Sequence, residues 1–385
     1  MADKKRIFLA SPHMSEEGYE MEYIQEAFDT NWIAPLGANV TGFEEEMCKV
    51  TGSKASLAVS SGTAAMHLAL KLMGIGKDDI VFCQSLTFSA TANPIIYQDA
   101  VPVFIDSDLE TWNMSPDSLE KAMKKYSKAG KLPKAVIVVH LYGLAANMEK
   151  ITEICKKYDV PLIEDAAESL GTFYRGQMTG TFGEYGIVSF NGNKIITSSG
   201  GGMLLCNGEN AEDKAEKALF WATQSRDKAR YYQHSELGYN YRMSNIVAGI
   251  GRGQLKVLEK RVEKKRFIYD YYKKAFSDVH EIIMMPVYDD IERSNCWLSC
   301  FTISEESRVT PLDVQLALEK ENIEARPVWK PMHLQPFFSD YDYIDNGGIA
   351  ERLFNQGVCL PSDTKMDEDD LERVSKIVKE MWDKK

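Results

Sequence analysis

The chain has 385 residues, of which 44% are hydrophobic and 26% charged, with a formal net charge of −12. This balance suits an ordinary globular protein of two domains, and its acidic field argues against nucleic acid or an anionic membrane as partner, so an anionic ligand would need a local positive site. The seven cysteines are scattered without a CxxC pair, which fits buried thiols in a reducing compartment rather than a disulfide framework.

The opening MADKKRIFLASPHM has too short an apolar run for a signal peptide, and no later run reaches membrane-spanning length, so a cytoplasmic location is expected. Short apolar runs then alternate with helical patterns: ASLAVSS, TAAMHLALKLMG, IVFCQ, PVFID, KAVIVVH, PLIED, YGIVSF and MLLC. Strands alternating with helices predict an α/β fold with a mostly parallel sheet covered on both faces. Ligands then collect at the carboxyl ends of the strands. Residues 245–277 repeat leucine, valine and tyrosine three or four apart and read as one long helix leading to a smaller domain. Beyond it lie strand-like EIIMM and CWLSCFTIS, a helix opened by Thr310 as N-cap and Pro311, and an amphipathic helix from Met366 to Trp382. The expected division is a large domain over 1–255 and a small α+β domain over 256–385. The run EKRVEKKR reads as a solvated helix face, and no internal repeat is present.

Four places at or beyond strand ends carry chemistry. In SSGTAA, from Ser60 to Ala65, a strand stops, Gly62 turns the chain and Thr63 opens a helix whose free N–H groups can bind a phosphate, although a plain N-cap explains the same residues. In IEDAAESLG, Asp165 ends an apolar strand beside small residues, where an acid binds something or caps a helix. Phe88, in SLTFSATAN, is an aromatic ring among small polar residues, open to packing or to stacking on a ligand. Lys194 sits in SFNGNKIITSSGGGM after a strand and before two isoleucines. A lysine that loses solvent there, or meets another cation, has an amine able to condense with an aldehyde. Triple glycine follows it, which a chain keeps where backbone must approach closely or take positive φ. Phosphate cradle, acid, ring and lysine together suggest pyridoxal phosphate, the acid pairing with the pyridine nitrogen.

The segments SSGTAAMHLAL, HLYG, IEDAAESLG, FNGNKIITSSGGG and GYNYRMSN resemble, in order and spacing, the DegT/DnrJ-type nucleotide-sugar aminotransferases of the fold-type I pyridoxal phosphate enzymes. The resemblance covers nearly the whole chain. It implies that Lys194 holds the cofactor as a Schiff base and, once freed, moves the proton, and that Asp165 partners the pyridinium. It further implies that Gly62, Thr63 and Ser189 bind the phosphate, that Phe88 stacks on the ring, and that Asn240 of GYNYRMSN reaches the phosphate from a second subunit of a homodimer. Glu168 stands where many relatives carry histidine, which leaves its role open among the cofactor contacts.

For the substrate, the resemblance places a sugar near Trp32, Ala34, Asn191 and Asn193. Arg326, Lys330 and His333 of ARPVWKPMH could supply charge for a nucleotide diphosphate; solvated basic residues are the alternative. The lysine segment and RPVWKPMH are similar to enzymes that aminate UDP-4-keto-6-deoxy-N-acetylglucosamine in bacterial glycan synthesis, with L-glutamate as donor and 2-oxoglutarate as its product. GDP- or dTDP-linked keto sugars, or a non-catalytic regulator on the same fold, are the alternatives. A dehydrogenase would need GxGxxG near its first strand, and a sugar dehydratase of the family replaces the lysine with histidine; neither feature is present. Six histidines without HxxxH or HExxH spacing give no case for a metal.

Overall fold

The structure is a computed structural model that describes residues 4–383. In chain order the described helices are α1 (Tyr19–Asp29), α2 (Ala38–Thr51), α3 (Gly62–Leu72), α4 (Ser89–Tyr97), α5 (Pro116–Lys128), α6 (Met148–Tyr158), α7 (Ala211–Ala222), α8 (Asn245–Leu255), α9 (Leu258–Ala275), α10 (Pro311–Lys320), α11 (Ile349–Gln356) and α12 (Glu368–Asp383).

Eight strands form the main sheet: β1 (Ala55–Val59), β2 (Ile80–Gln84), β3 (Val101–Ile105), β4 (Ala135–Val139), β5 (Leu162–Asp165), β8 (Tyr185–Ser189), β9 (Gly202–Cys206) and β14 (Tyr343–Ile344). Their order is β1-β9-β8-β5-β4-β2-β3-β14. Only β9 runs against the rest, pairing antiparallel with β1 and with β8. Each of β1 to β5, β8 and β9 falls on one of the apolar runs expected to be strands. The AVIVV of β4 is buried throughout, as a central strand covered on both faces must be. The sheet is mixed and mostly parallel with helices packed against it, the fold class that the alternation of strands and helices predicts.

A second, antiparallel sheet has the order β10 (Ile282–Met284), β12 (Ser299–Ile303), β15 (Gly357–Leu360), β13 (Arg326–Pro327). It packs with Ile268 and Tyr272 of α9 and with Leu371 and Val374 of α12 in one core. Ile7 joins that core and bridges Ile323, so residues near the start of the chain lie beside the second sheet, while β14 crosses to the main one. The remaining strands, β6 (Phe173–Tyr174), β7 (Gln177–Met178) and β11 (Glu292–Arg293), make a small sheet of their own. Helix α10 opens as expected, with a capping box between Thr310 and Asp313 and Pro311 in the first turn.

Two expectations need correction. The run EKRVEKKR is not a solvated face throughout, because Lys265 within it lies on the buried stripe of α9 and is 3% exposed. Residues 245–277 are not one helix: the chain breaks between α8 and α9, where Val257 has φ −109° and ψ 9°. The reason is tertiary. Three glycines of α8 let it lie against α1 and α2, a side chain at Gly251 overlapping Phe43 and one at Gly253 the Glu20 backbone. Helix α9 instead turns to serve the second sheet.

Candidate active site

The carboxyl ends of β5 and β8 and the start of α3 open into one cavity of about 300 Å³, at the lower end of the range for small-molecule sites. Gly62, Thr63, Phe88, Asp165, Glu168, Ser189, Asn191, Asn193 and Lys194 all line it.

Beta-strand alternation decides which acid of IED reaches the cavity. Glu164 turns the other way and accepts N–H bonds from Gly180 (2.8 Å), Phe182 and Gly183 (2.6 Å each), with the buried His140 imidazole at 2.9 Å. Asp165 faces the cavity. Its Oδ2 accepts from the Thr91 hydroxyl at 2.7 Å and its Oδ1 from the Ala167 N–H at 3.2 Å, so both oxygens act as acceptors and the carboxylate is held in place from two sides.

Lys194 closes a turn after β8, its N–H donating to the Asn191 carbonyl at 3.0 Å. The side chain is only 12% exposed. Its Nζ lies 3.2 Å from Glu168 Oε1 and 4.3 Å from the centre of the Trp297 ring, a carboxylate and a π face around one ammonium. Glu168 Oε2 accepts from the Tyr142 N–H at 2.8 Å. Burial pushes the Glu168 carboxyl above its ordinary range, against the pull of Lys194 and of the Tyr142 N–H.

At the other end, Ser61 caps α3 by accepting from the Ala64 N–H at 3.1 Å. The first amides of a helix have no partner within it, which leaves those of Gly62 and Thr63 at the cavity wall for an anion. A Cβ at Gly62 would come 3.3 Å from the Ser189 Cβ and narrow that cradle. The glycines after Lys194 now have a reason. Gly201 takes φ +138°, and a side chain at Gly202 would overlap Ser61 and the Gly62 amide, so β9 passes directly behind the cradle. These donors, the carboxylate and the lysine fit pyridoxal phosphate.

Phe88 stands at the rim, 59% exposed, with its ring 5.5 Å from that of Trp329. Asn193 accepts from the Trp297 indole N–H at 2.7 Å through its carbonyl. The remaining expected residues are not brought to the cavity of this chain. Trp32 and Ala34 are exposed, and their carbonyls accept from Asn245 at 2.7 and 3.0 Å. Arg326 is exposed and pairs with Glu324 at 2.7 Å, and Lys330 is exposed on the loop that follows. His333 is engaged structurally: Ser85 Oγ lies 2.6 Å from Nδ1, Glu351 3.2 Å from Nε2, and Tyr343 stacks on the ring at 3.7 Å.

Asn240 is also exposed and outside the cavity. Its segment runs antiparallel beside the end of β1, where the Tyr241 carbonyl accepts from the Ser60 N–H at 2.7 Å. Tyr239 and Tyr241 stack on each other at 4.8 Å and meet the His67 ring tilted and edge-on, and Asn240 between them is left to solvent.

Several cavity residues were missed from sequence. Thr91 is one turn beyond Phe88 on α4, and a helical reading of SLTFSATAN would have brought it to the same face. Trp297 sat within an apolar strand-like run, CWLSC. Trp329 lies inside RPVWKPMH, where the charged neighbours drew attention instead.

Residues 14–379 match the DegT/DnrJ/EryC1/StrS aminotransferase family. The chain is 54% identical over 377 residues to EpsN of Bacillus subtilis (strain 168), provisionally described as a pyridoxal phosphate-dependent aminotransferase, covering 97% of this chain and 95% of EpsN. It is 35% identical over 374 residues to the GDP-perosamine synthase of Caulobacter vibrioides, covering 97% and 98%. A crystal structure of a DegT/DnrJ/EryC1/StrS aminotransferase from Brucella abortus superposes with a TM-score of 0.87 at 28% identity, covering 95% of each chain. With a cradle, an acid and a lysine converging as that chemistry demands, the chain belongs to the DegT/DnrJ/EryC1/StrS family and is a pyridoxal phosphate-dependent sugar aminotransferase.

Proposed function

We propose that the protein transfers an amino group from L-glutamate to the 4-keto carbon of a nucleotide-linked 6-deoxy sugar for glycan synthesis, with UDP-4-keto-6-deoxy-N-acetylglucosamine as the first candidate. The observation that carries the reading is the convergence of Lys194, Asp165 and the α3 amides on one cavity. Bound there, pyridoxal phosphate supplies an electron sink for carrying the amino group between donor and acceptor.

The residues divide the remaining work. The Gly62 and Thr63 amides and Ser189 bind the phosphate, Asp165 holds the protonated pyridine nitrogen, and Phe88 covers the ring. Lys194 anchors the cofactor and, when free, carries the proton at its Nζ. Glu168 steadies the ammonium form of Lys194 at 3.2 Å. Asn191 and Asn193 face the sugar.

The chain acts as a homodimer in this reading, with Asn240 completing the phosphate site of the other subunit. Support comes from its exposed position away from its own cavity and from the large apolar side chains Trp32, Ile33, Leu36, Tyr231 and Tyr232, which are exposed in the single chain. Trp32, Ala34, Arg326 and Lys330 would then meet the nucleotide sugar at the subunit boundary. A GDP-linked acceptor is the second reading, favoured by the identity to the GDP-perosamine synthase.

The deciding experiment offers UDP-, GDP- and dTDP-linked 4-keto-6-deoxy sugars with L-glutamate and detects the aminated product by mass spectrometry. Lys194→Ala is the inactive control. Amination of the UDP-sugar alone supports the first reading, and amination of the GDP-sugar alone replaces it with the second. Turnover by Lys194→Ala equal to that of the parent would refute the role of the lysine.

A further inference from the structure

We propose that Lys265, which lies outside the cavity, is a positioning residue for the transfer reaction: it grips the Trp297 carbonyl and thereby holds the indole ring against Lys194. The proposal rests on the reading of Lys194 as the reactive amine.

Lys265 belongs to the buried stripe of α9, with Val262, Ile268 and Tyr269 around it, and is 3% exposed. A leucine or methionine would pack there without the cost of taking an amine from water. Its Nζ donates to the Trp297 carbonyl at 2.8 Å. Burial pushes the amine down to about 7, with Asp363 and Cys296 opposing and Arg261 adding to the fall. A chain that keeps so expensive a group at a core position has a use for its hydrogen bond.

The use is visible at Trp297. The backbone N–H donates to Asn295 Oδ1 at 2.9 Å, the indole N–H to the Asn193 carbonyl at 2.7 Å, and the carbonyl accepts from Lys265. The ring so fixed lies 4.3 Å from Lys194 Nζ. The preceding Cys296 has φ +48°, a left-handed conformation that a side chain adopts only when its surroundings impose it. Asn295 anchors one side of that kink by donating to the Glu168 and Leu170 carbonyls at 2.9 and 3.0 Å. Lys265 anchors the other. Without it, the kink can relax and carry the ring away from the amine whose resting place it defines.

The test compares Lys265→Met, which removes the donor, with Lys265→Gln, which keeps an uncharged one. Because the chain has six tryptophans, Trp297 emission is read in cofactor-free protein as the difference from the same protein carrying Trp297→Phe. Lys265→Met is expected to melt at or above the parent temperature, since a buried amine is gone. It should nevertheless shift Trp297 emission and lower kcat by ~10-fold or more with KM little changed, the scale on which small misplacements act. Lys265→Gln should recover a substantial part of both. A well-folded Lys265→Met with parental emission and kcat would overturn the proposal. So would a loss of kcat that tracks a lowered melting temperature and is not recovered by Lys265→Gln. If the parent transfers no amino group at all, the assigned role of Lys194 fails, while the emission measurements still decide the link between Lys265 and Trp297.

Discussion

Asp165 and Glu164 are neighbours on β5 with the same functional group, and the strand sends them to opposite faces. Glu164 spends its oxygens on backbone amides, whereas Asp165 keeps a face toward the cavity. Asp165→Asn preserves shape and removes charge, so the fold should survive and both half-reactions should slow by ~10²-fold or more, as for loss of a preorganised electrostatic group. Rapid-mixing absorbance of each half-reaction checks this, and a parental rate would mean that Asp165 does not serve the cofactor. Glu168 was the residue whose identity left its role open, and its place is now defined by Lys194 at 3.2 Å. Glu168→Gln keeps the shape of that contact and removes its charge, so both half-reactions should slow while the melting temperature holds; a parental rate in each would show that the contact is not used.

Among the elements, β9 shows how a local oddity in sequence can encode a tertiary requirement. The triple glycine announced close approach, and the partner proves to be the start of α3. Gly202→Ala forces a methyl group into the Ser61 and Gly62 backbone, which cannot rotate away. Overpacking of this kind costs roughly 1–3 kcal/mol. The expected result is a lower denaturation midpoint together with weaker cofactor binding by equilibrium titration, while Gly200→Ala, with open space at its Cβ, should change the midpoint little. Seven strands of the main sheet were legible because buried apolar runs bounded by turns have few other uses, whereas the two residues of β14 offer no such run. The break between α8 and α9 was not, because both halves keep helical periodicity and the reason for the break lies in α1, α2 and the second sheet. Trp297 was hidden for a related cause: an aromatic residue in an apolar run looks like core, and only its 4.3 Å approach to Lys194 gives it another part.

For the molecule as a whole, two buried groups far from each other in sequence shape stability against pH. Burial raises the Glu292 carboxyl to about 7 and lowers the Lys265 amine to about 7. Between the ordinary carboxylate range and 7 the folded chain holds the Glu292 proton that the unfolded chain has lost, so stability falls as pH rises. Between 7 and the ordinary lysine range the unfolded chain holds the Lys265 proton that the folded chain has lost, so stability rises with pH. Their joint contribution has its minimum near neutrality. Denaturant midpoints should show Glu292→Gln relieving the alkaline side and Lys265→Met the acid side, and a gain that does not vary with pH would contradict the assignment. The proposed subunit arrangement rests on the family resemblance, since no periodicity announces a residue that serves another chain. Asn240 is turned to solvent by the stacked Tyr239 and Tyr241, whereas Lys194 is enclosed within its own chain. Lys194→Ala and Asn240→Ala should therefore damage different halves of each composite site. In a purified heterodimer of the two, one site receives Lys194 from the Asn240→Ala chain and Asn240 from the Lys194→Ala chain, and the other site receives neither. Each homodimer should be inactive or severely impaired, and the heterodimer should recover about half of the parental rate, the outcome that two sites of this construction require. A verified heterodimer that stays inactive, or a monomer fully active at low concentration, would remove the shared site and leave the chemistry of Lys194 standing.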